Sequence, residues 1–199
     1  MKKQVVIIHG GETFKSYKDY LIFLKKSEIE IKSSKVKKWK ETLAEKLGKE
    51  FQAIYPKMPN PMNAKYKEWV IIFEKLFPFL RNNLILVGHS LGGVFLAKYL
   101  SENKFPKRIK AVFLISAPFG KKGKKYSLAD FKLPKSFKNL EKQANNIVIC
   151  HSKDDKVVPF SDMKKYAKAL PGAKTIIFKS KGHFNQSSFP ELVKEIKKP

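Results

Sequence analysis

Residues 84–93 read LILVGHSLGG, in which four apolar residues lead directly into a G-x-S-x-G motif. The apolar residues predict a buried strand, and the VFLAKYL that follows the motif has helical character. Glycines on either side of a serine permit a turn between strand and helix that is too tight for neighbouring side chains. The pattern therefore predicts that Ser90 lies on a strained turn, with its hydroxyl exposed above the edge of a sheet.

Other short apolar runs alternate with amphipathic stretches along the chain. Turn residues bound each of these runs, which span residues 5–8, 51–55, 109–115, 147–150 and 175–178. Strands that alternate with helices are typical of a parallel sheet. The sequence thus predicts an α/β fold, with a doubly wound, mostly parallel sheet of about six strands and helices on both faces. We expect a single domain over residues 1–199 without a large cap domain.

The formal net charge of +25 raises the question of a polyanionic partner. Of the 42 basic residues only Arg81 and Arg108 are arginines, and the lysines are spread over nearly every segment. Base and phosphate recognition favours arginine, so we expect a solvated lysine-rich surface, with non-specific polyanion binding at low salt and no specific nucleic-acid site. Two interpretations of the basic loop 121–125 stay open: it is a solvated loop, or it gives the protein a preference for anionic substrates.

Several classes of protein are disfavoured by what the sequence lacks. No apolar run approaches the roughly 18 residues of a membrane span, and Met1 leads into a strand instead of a signal peptide, so we expect a cytoplasmic protein. Cys150 is the sole cysteine, which excludes an internal disulfide and a cysteine zinc site. We expect Cys150 to be a buried strand residue, and we expect no metal and no cofactor.

A serine hydroxyl needs a base, and the base needs an orienting acid. Among the four histidines, His183 alone follows the last predicted strand, as the order serine, acid, histidine requires. Asp154 and Asp155 directly follow a buried strand, at the carboxyl edge where such sheets collect functional residues. Asp162 is expected on an exposed helix face. Position in the sheet alone leaves the choice between Asp154 and Asp155 open.

These residues and the motifs around them resemble the α/β-hydrolases, and within them the small serine hydrolases typified by retinoblastoma-binding protein nine. The similarity rests on MPNP at 58–61, GHS at 88–90, SKDD at 152–155 with the D-K-V-V-P turn, and GHFN at 182–185. It implies a triad of Ser90, His183 and Asp155, with Asp154 left as a turn residue. It also implies an oxyanion hole, formed by the backbone N–H of Leu91 and one from the loop after His9, which we assign to Gly11.

The family resemblance implies a serine hydrolase that cleaves a small-molecule ester, thioester or amide through an acyl-enzyme, with carboxylesterase-like activity as the simplest case. The alternative is a non-catalytic polyanion-binding protein on a hydrolase scaffold. Peptidase and thioesterase activities use the same triad and stay open.

A helical insertion at about residues 12–35 is longer than the short first loop of the family that the chain resembles. Thr13 is placed to cap a helix whose inward face would carry Phe14, Tyr17, Leu21 and Leu24, with Tyr20 and Phe23 beside it. Two interpretations stay open: a lid in which Tyr20 and Phe23 wall the substrate pocket, or a cover for the core. A further helix is expected to begin at Ser33 or Ser34.

Overall fold

The computed structural model describes residues 1–28, 37–120 and 127–198. Within these residues six strands form one sheet in the order β2-β1-β3-β4-β5-β6, and every neighbouring pair is parallel. The strands are β1 (Lys3–Ile8), β2 (Phe51–Ile54), β3 (Leu84–His89), β4 (Ile109–Ile115), β5 (Ile147–Ser152) and β6 (Lys174–Phe178). The predicted α/β fold is confirmed, and the sheet is parallel throughout.

The register of the strands brings their carboxyl ends to one edge of the sheet. Ile8 of β1 is paired with Gly88 of β3, and Ile115 of β4 with Cys150 of β5. The residues that follow these strands therefore collect at this edge, as expected for an open parallel sheet.

Within the described residues, six α-helices lie between successive strands and a seventh follows β6. They are α1 (Tyr17–Lys26), α2 (Trp39–Leu47), α3 (Tyr66–Glu74), α4 (Leu91–Glu102), α5 (Lys138–Gln143), α6 (Phe160–Ala169) and α7 (Pro190–Lys197). Short 3₁₀ turns lie at Pro61–Asn63, Phe77–Phe79 and Ala129–Phe131. None of the helices in these parts of the chain has the length and apolar character needed to cross a bilayer.

The two faces of the sheet bury alternate residues of the same strands against different helices. Val6 and Ile8 of β1 belong to a core that α3, α4, α5 and α6 cover. Val5 and Ile7 of β1 belong to a second core, which is covered by α2 and α7. Because successive side chains of a strand point to opposite faces, continuous apolar strands are what a sheet covered on both sides requires. Cys150 is buried in β5, as predicted.

The insertion after β1 packs differently from the prediction. The N-cap of α1 is Ser16, whereas Thr13 is buried and its hydroxyl donates to the carbonyl of Ser127. The expected inward face was wrong, because Tyr17 is 69% exposed and Leu21 40% exposed. The predicted helix start at Ser33 or Ser34 and the basic loop 121–125 lie outside the described residues.

Candidate active site

Ser90 lies in the turn between β3 and α4 in a backbone conformation that side chains rarely adopt. Its φ is 54° and its ψ is −123°. The N–H of Ser90 donates to the carbonyl of Ile115 at 2.8 Å, which ties the turn to the end of β4. A non-glycine residue held there costs about 1–3 kcal/mol, so surrounding contacts must hold the turn in place.

The glycines around Ser90 are required by close backbone approach. A Cβ at Gly92 would lie 2.3 Å from the carbonyl oxygen of Ile8, and a Cβ at Gly88 would lie 2.4 Å from that of Gly92. Both overlaps involve backbone atoms, which cannot move aside as a flexible side chain would. The start of α4 therefore lies directly against the end of β1. This agrees with the tight turn that the G-x-S-x-G motif predicts.

Asp155 and His183 are brought together at the same edge. The Nδ1 of His183 lies 2.9 Å from Oδ2 of Asp155, and the Asp155 side chain is fully buried. Asp155 follows β5, and His183 lies in the loop after β6. Two neighbouring parallel strands thus deliver the acid and the base from positions 28 residues apart in the chain.

Hydrogen bonds hold Asp155 as a carboxylate. Its Oδ1 accepts from the backbone N–H groups of Val157 and Val158 at 2.8 and 2.9 Å, and Oδ2 accepts from the Ser116 hydroxyl at 2.7 Å. Burial alone would raise the pKa of Asp155, but the hydrogen bonds from His183, Val158 and Ser116 outweigh it and lower the pKa below its usual value. Asp155 therefore remains charged and fixes the orientation of the His183 ring.

The other candidate acids are engaged elsewhere. Asp154 is exposed, and its Oδ1 accepts from the Ser152 hydroxyl and from the N–H of Gly182 at 2.9 Å, so it supports the loop that carries His183. The expectation that Asp162 is exposed was wrong, since it is only 1% exposed. Its carboxylate accepts from the N–H of Phe119 at 3.0 Å and pairs with Lys165 at 2.6 Å.

The remaining histidines bond to the backbone. His9 contacts the carbonyl of Gly10 at 2.6 Å through Nδ1 and accepts from the N–H of Met58 at 3.0 Å through Nε2. His151 contacts the carbonyl of Val158 at 3.0 Å, and burial lowers its pKa. His89 contacts the carbonyl of His183 at 2.8 Å. His183 is thus the histidine that a carboxylate holds at hydrogen-bond distance.

A recess of about 40 Å³ opens beside Ser90, and both residues assigned to the oxyanion hole, Gly11 and Leu91, line it. Leu91 is the first residue of α4, so its N–H has no carbonyl partner one turn earlier in the helix. Gly10 also lies against the elbow, because a Cβ there would be 3.0 Å from the Cβ of Ser90. The loop after β1 and the start of α4 therefore flank the Ser90 side chain.

A larger cavity of about 950 Å³ adjoins this recess, since Ser127 and Leu128 line both. Phe14 is part of its wall. Tyr20 and Phe23 stack against Phe14, with ring centroids 5.3 and 5.0 Å from it. The two predicted pocket residues therefore contact a wall residue of the cavity and are not themselves among the residues that line it.

Two residues of the site escaped the sequence analysis. Ser116 could have been found from the sequence, because it directly follows β4 at the edge where Asp155 was sought. In the structure its φ of 44° makes it a second strained serine. Lys40, which contacts the ring of His89 at 3.0 Å, could not have been found in this way, because nothing separates it from the other lysines of the sequence. Within residues 1–28, 37–120 and 127–198, no cluster of histidine, cysteine or acidic side chains could hold a metal ion.

Comparison with known proteins places the chain in a family. The sequence profile of the family described as serine hydrolase matches residues 31–195, most of the chain. The chain belongs to the serine hydrolase family. Family relatives include the serine hydrolase RBBP9 of Rattus norvegicus, 26% identical over 155 residues, which are 74% of this chain and 77% of that protein. The putative hydrolase YdeN of Bacillus subtilis (strain 168) is 27% identical over 176 residues, 87% of this chain and 82% of that protein.

Solved structures agree with this family assignment at the level of the fold. The ydeN gene product of B. subtilis superimposes with a TM-score of 0.70 at 24% identity, covering 98% of this chain and 97% of that one. A thioesterase domain from the curacin biosynthetic pathway gives a TM-score of 0.63 at 13% identity, covering 98% of this chain and 91% of that one. The compact α/β-hydrolase fold therefore extends over nearly the whole chain.

Proposed function

We propose that this chain hydrolyses a carboxylic ester, thioester or amide through an acyl-enzyme on Ser90, with His183 as general base and Asp155 as its partner. The observation that carries the proposal is the 2.9 Å contact between His183 and the buried Asp155. The contact lies at the edge of the sheet where the strained Ser90 turn also lies. Backbone strain of this kind clusters at functional sites, and at Ser90 it accompanies the G-x-S-x-G motif.

In the first half of the reaction, Oγ of Ser90 attacks the carbonyl carbon while Nε2 of His183 takes the hydroxyl proton. The imidazolium that forms is stabilised by the carboxylate of Asp155 through Nδ1–H. The negative charge that develops on the carbonyl oxygen is placed beside the N–H groups of Leu91 and Gly11, which we assign as its donors. His183 then gives its proton to the leaving group, and the acyl group remains on Ser90.

The second half repeats these steps with water. His183 takes a proton from the water molecule, whose oxygen attacks the acyl carbon, and Nε2 returns the proton to Oγ of Ser90 as the acid leaves. Neither half consumes a cofactor.

The cavity of about 950 Å³ is the space we propose for the acyl group, because it shares Ser127 and Leu128 with the recess beside Ser90. Apolar side chains such as Phe14, Phe119 and Leu133 line much of it. We also propose that the insertion at about residues 12–35 acts as a lid, with Tyr20 and Phe23 setting the position of Phe14. None of the residues of α1 is buried, which favours the interpretation of this segment as a lid and not as part of the core.

A substitution in α1 separates the lid from the core interpretation. Phe23→Ala is expected to change the preferred acyl chain length, mainly through KM, while Tm moves by only a few degrees. Leu21→Ala, on the exposed side of the same helix, is the matched control and should change neither. A loss of several kcal/mol in unfolding free energy with unchanged chain preference would mean that the segment is core.

Fluorophosphonate labelling tests the proposed function itself. The reagent should modify the wild-type protein but not Ser90→Ala, and it should modify Ser161→Ala, whose serine is exposed on α6, as readily as the wild type. Ser90→Ala should also lower kcat for an aryl ester by roughly 10⁴-fold or more. Full activity in Ser90→Ala would exclude the proposed nucleophile.

The net charge of +25 favours a second function, binding of polyanions without catalysis. Salt-dependent binding of a nucleic acid, together with no labelling of Ser90, is the result that would support it.

A further inference from the structure

A lysine contacts His89, the second residue of the G-x-S-x-G motif. Nζ of Lys40, in the first turn of α2, lies 3.0 Å from Nδ1 of His89. His89 is 3% exposed, and its other ring nitrogen, Nε2, lies 2.8 Å from the carbonyl oxygen of His183. Lys40, His89 and His183 therefore form a continuous chain of contacts that ends on the proposed general base.

The chemistry of the three groups determines where the proton of His89 lies. An ammonium group can only donate, so Nδ1 of His89 must accept from Lys40. A carbonyl oxygen can only accept, so Nε2 must carry the proton and donate to His183. Burial, the nearby Lys40 and His183 hold the pKa of His89 well below its usual value, which keeps the ring neutral as this arrangement requires.

The loop around His183 has other attachments to α2 that do not involve Lys40. The indole Nε1 of Trp39 donates to the carbonyl of Phe184 at 2.8 Å, and the N–H of Trp39 donates to the carbonyl of Gln186 at 3.0 Å. These bonds hold the loop on α2 whatever residue stands at position 40. The bond from His89, in contrast, is made to the backbone carbonyl of His183 itself.

We propose that Lys40 is a positioning residue for the catalytic base: together with the carbonyl of His183 it holds the proton of His89 on Nε2, and His89 in turn holds the backbone of His183. The proposal rests on the proposed function of His183. In the opposite tautomer, the unprotonated Nε2 of His89 would face the carbonyl of His183, and two acceptors would repel each other. The backbone of His183 would then shift, and with it the ring that the proposed function uses as the base for Ser90.

The charge of Lys40 gives this arrangement a pH dependence. Burial first, and then the neighbouring Lys38, lower the pKa of Lys40 to about 8, while Glu41 on the same helix opposes them. Across from it stand His89 and, through that ring, His183 and Asp155. Above this pKa the neutral amine can accept as well as donate, so the carbonyl of His183 alone still favours a proton on Nε2 of His89, and the preference for that tautomer weakens. We therefore expect kcat to decline through pH 8 as Lys40 loses its proton.

The test compares Lys40→Met with Lys46→Met, a control that removes an exposed charge from the same helix. For a neutral aryl ester, Lys40→Met is expected to lower kcat about 10- to 100-fold with little change in KM, as small misplacement of a catalytic group does. Its alkaline decline should disappear, since no group at position 40 titrates. Lys40→Arg, which stays charged, should retain most of the activity and move the decline to higher pH.

Nitrogen-15 NMR of the wild-type histidines gives a readout that needs neither catalysis nor a folded variant. We expect the His89 ring to carry its proton on Nε2 at pH 7 and to populate a larger fraction of the other tautomer above pH 8. A proton on Nδ1 at pH 7, or wild-type kcat and pH profile in Lys40→Met, would overturn the proposal. If Ser90 is not labelled by fluorophosphonate but the His89 tautomer is as expected, then the hydrolase function fails and the contact stands.

Discussion

Replacing Asp155 by asparagine tests the acid of the proposed triad against its neighbour Asp154. Asparagine has the same shape, and its oxygen can still accept from Val157 and Val158. Its NH₂ group would then face His183, so Nδ1 must become an acceptor and the ring proton must move to Nε2. A protonated Nε2 cannot take the proton of Ser90.

The magnitude follows from the hydrogen bonds of Asp155. Loss of the correct tautomer lowers kcat about 10⁴-fold, which corresponds to about 5.4 kcal/mol in activation free energy. Bonds to a charged acceptor contribute about 1 kcal/mol more than neutral ones, and Asp155 accepts four. The neutral asparagine also avoids the desolvation penalty of the buried carboxylate, which offsets part of this loss. We therefore expect the free energy of unfolding to fall by about 1–3 kcal/mol at pH 7.

Steady-state hydrolysis of an aryl ester and urea unfolding measure the two effects, with Asp154→Asn as the matched control. The carboxylate of Asp154 is exposed, so its variant should lose little stability and much less activity. Because the pKa of Asp155 is lowered in the folded state, the unfolded chain binds the proton first as pH falls. The difference in free energy of unfolding between wild type and Asp155→Asn should therefore be largest above about pH 5 and should diminish as the pH falls through the pKa of Asp155 in the folded state. A larger loss of kcat in Asp154→Asn would refute the assignment.

Two further substitutions probe the surroundings of the site. Ser116→Ala removes the hydroxyl that donates to Asp155 and should therefore raise the pKa of that carboxyl. We expect kcat/KM to fall about tenfold, and the acid limb of the pH–rate profile measures the change in pKa. Gly92→Ala would place a Cβ 2.3 Å from the carbonyl oxygen of Ile8, and urea unfolding should show a loss of about 3 kcal/mol or more; wild-type stability would mean that the elbow can move away from β1.

The sheet was predictable because each strand is a short apolar run between turn residues, and burial on both faces needs no more information than that. The candidate site was predictable where residues follow strand ends, since the parallel sheet collects those ends at one edge. This is why the sequence directs attention to Ser90, which also carries its motif, and to Asp154 and Asp155, between which only the family resemblance chose; Ser116, which obeys the same rule, was within reach.

The remainder depends on contacts between segments far apart in the chain. The inward face of α1 was misjudged because its packing is set by Phe14, which precedes the helix, and by the bond from Thr13 to Ser127. Asp162 was expected in solvent because its helix position looks polar, but the loop at Phe119 folds over it. Lys40 cannot be identified from local pattern, because its partner His89 lies 49 residues away.

The parallel order of the sheet also determines when the site can form during folding. Ser116 meets Asp155 across 39 residues and His89 meets His183 across 94, so no partly folded chain that lacks β6 and its following loop contains the site. Contacts of such high sequence separation form late, because loop closure must precede them. Helical signal should therefore return during refolding before Ser90 becomes reactive. Reactivity at this serine is then a report on the last stage of assembly, and a nascent chain released before β6 would be folded in part but inert.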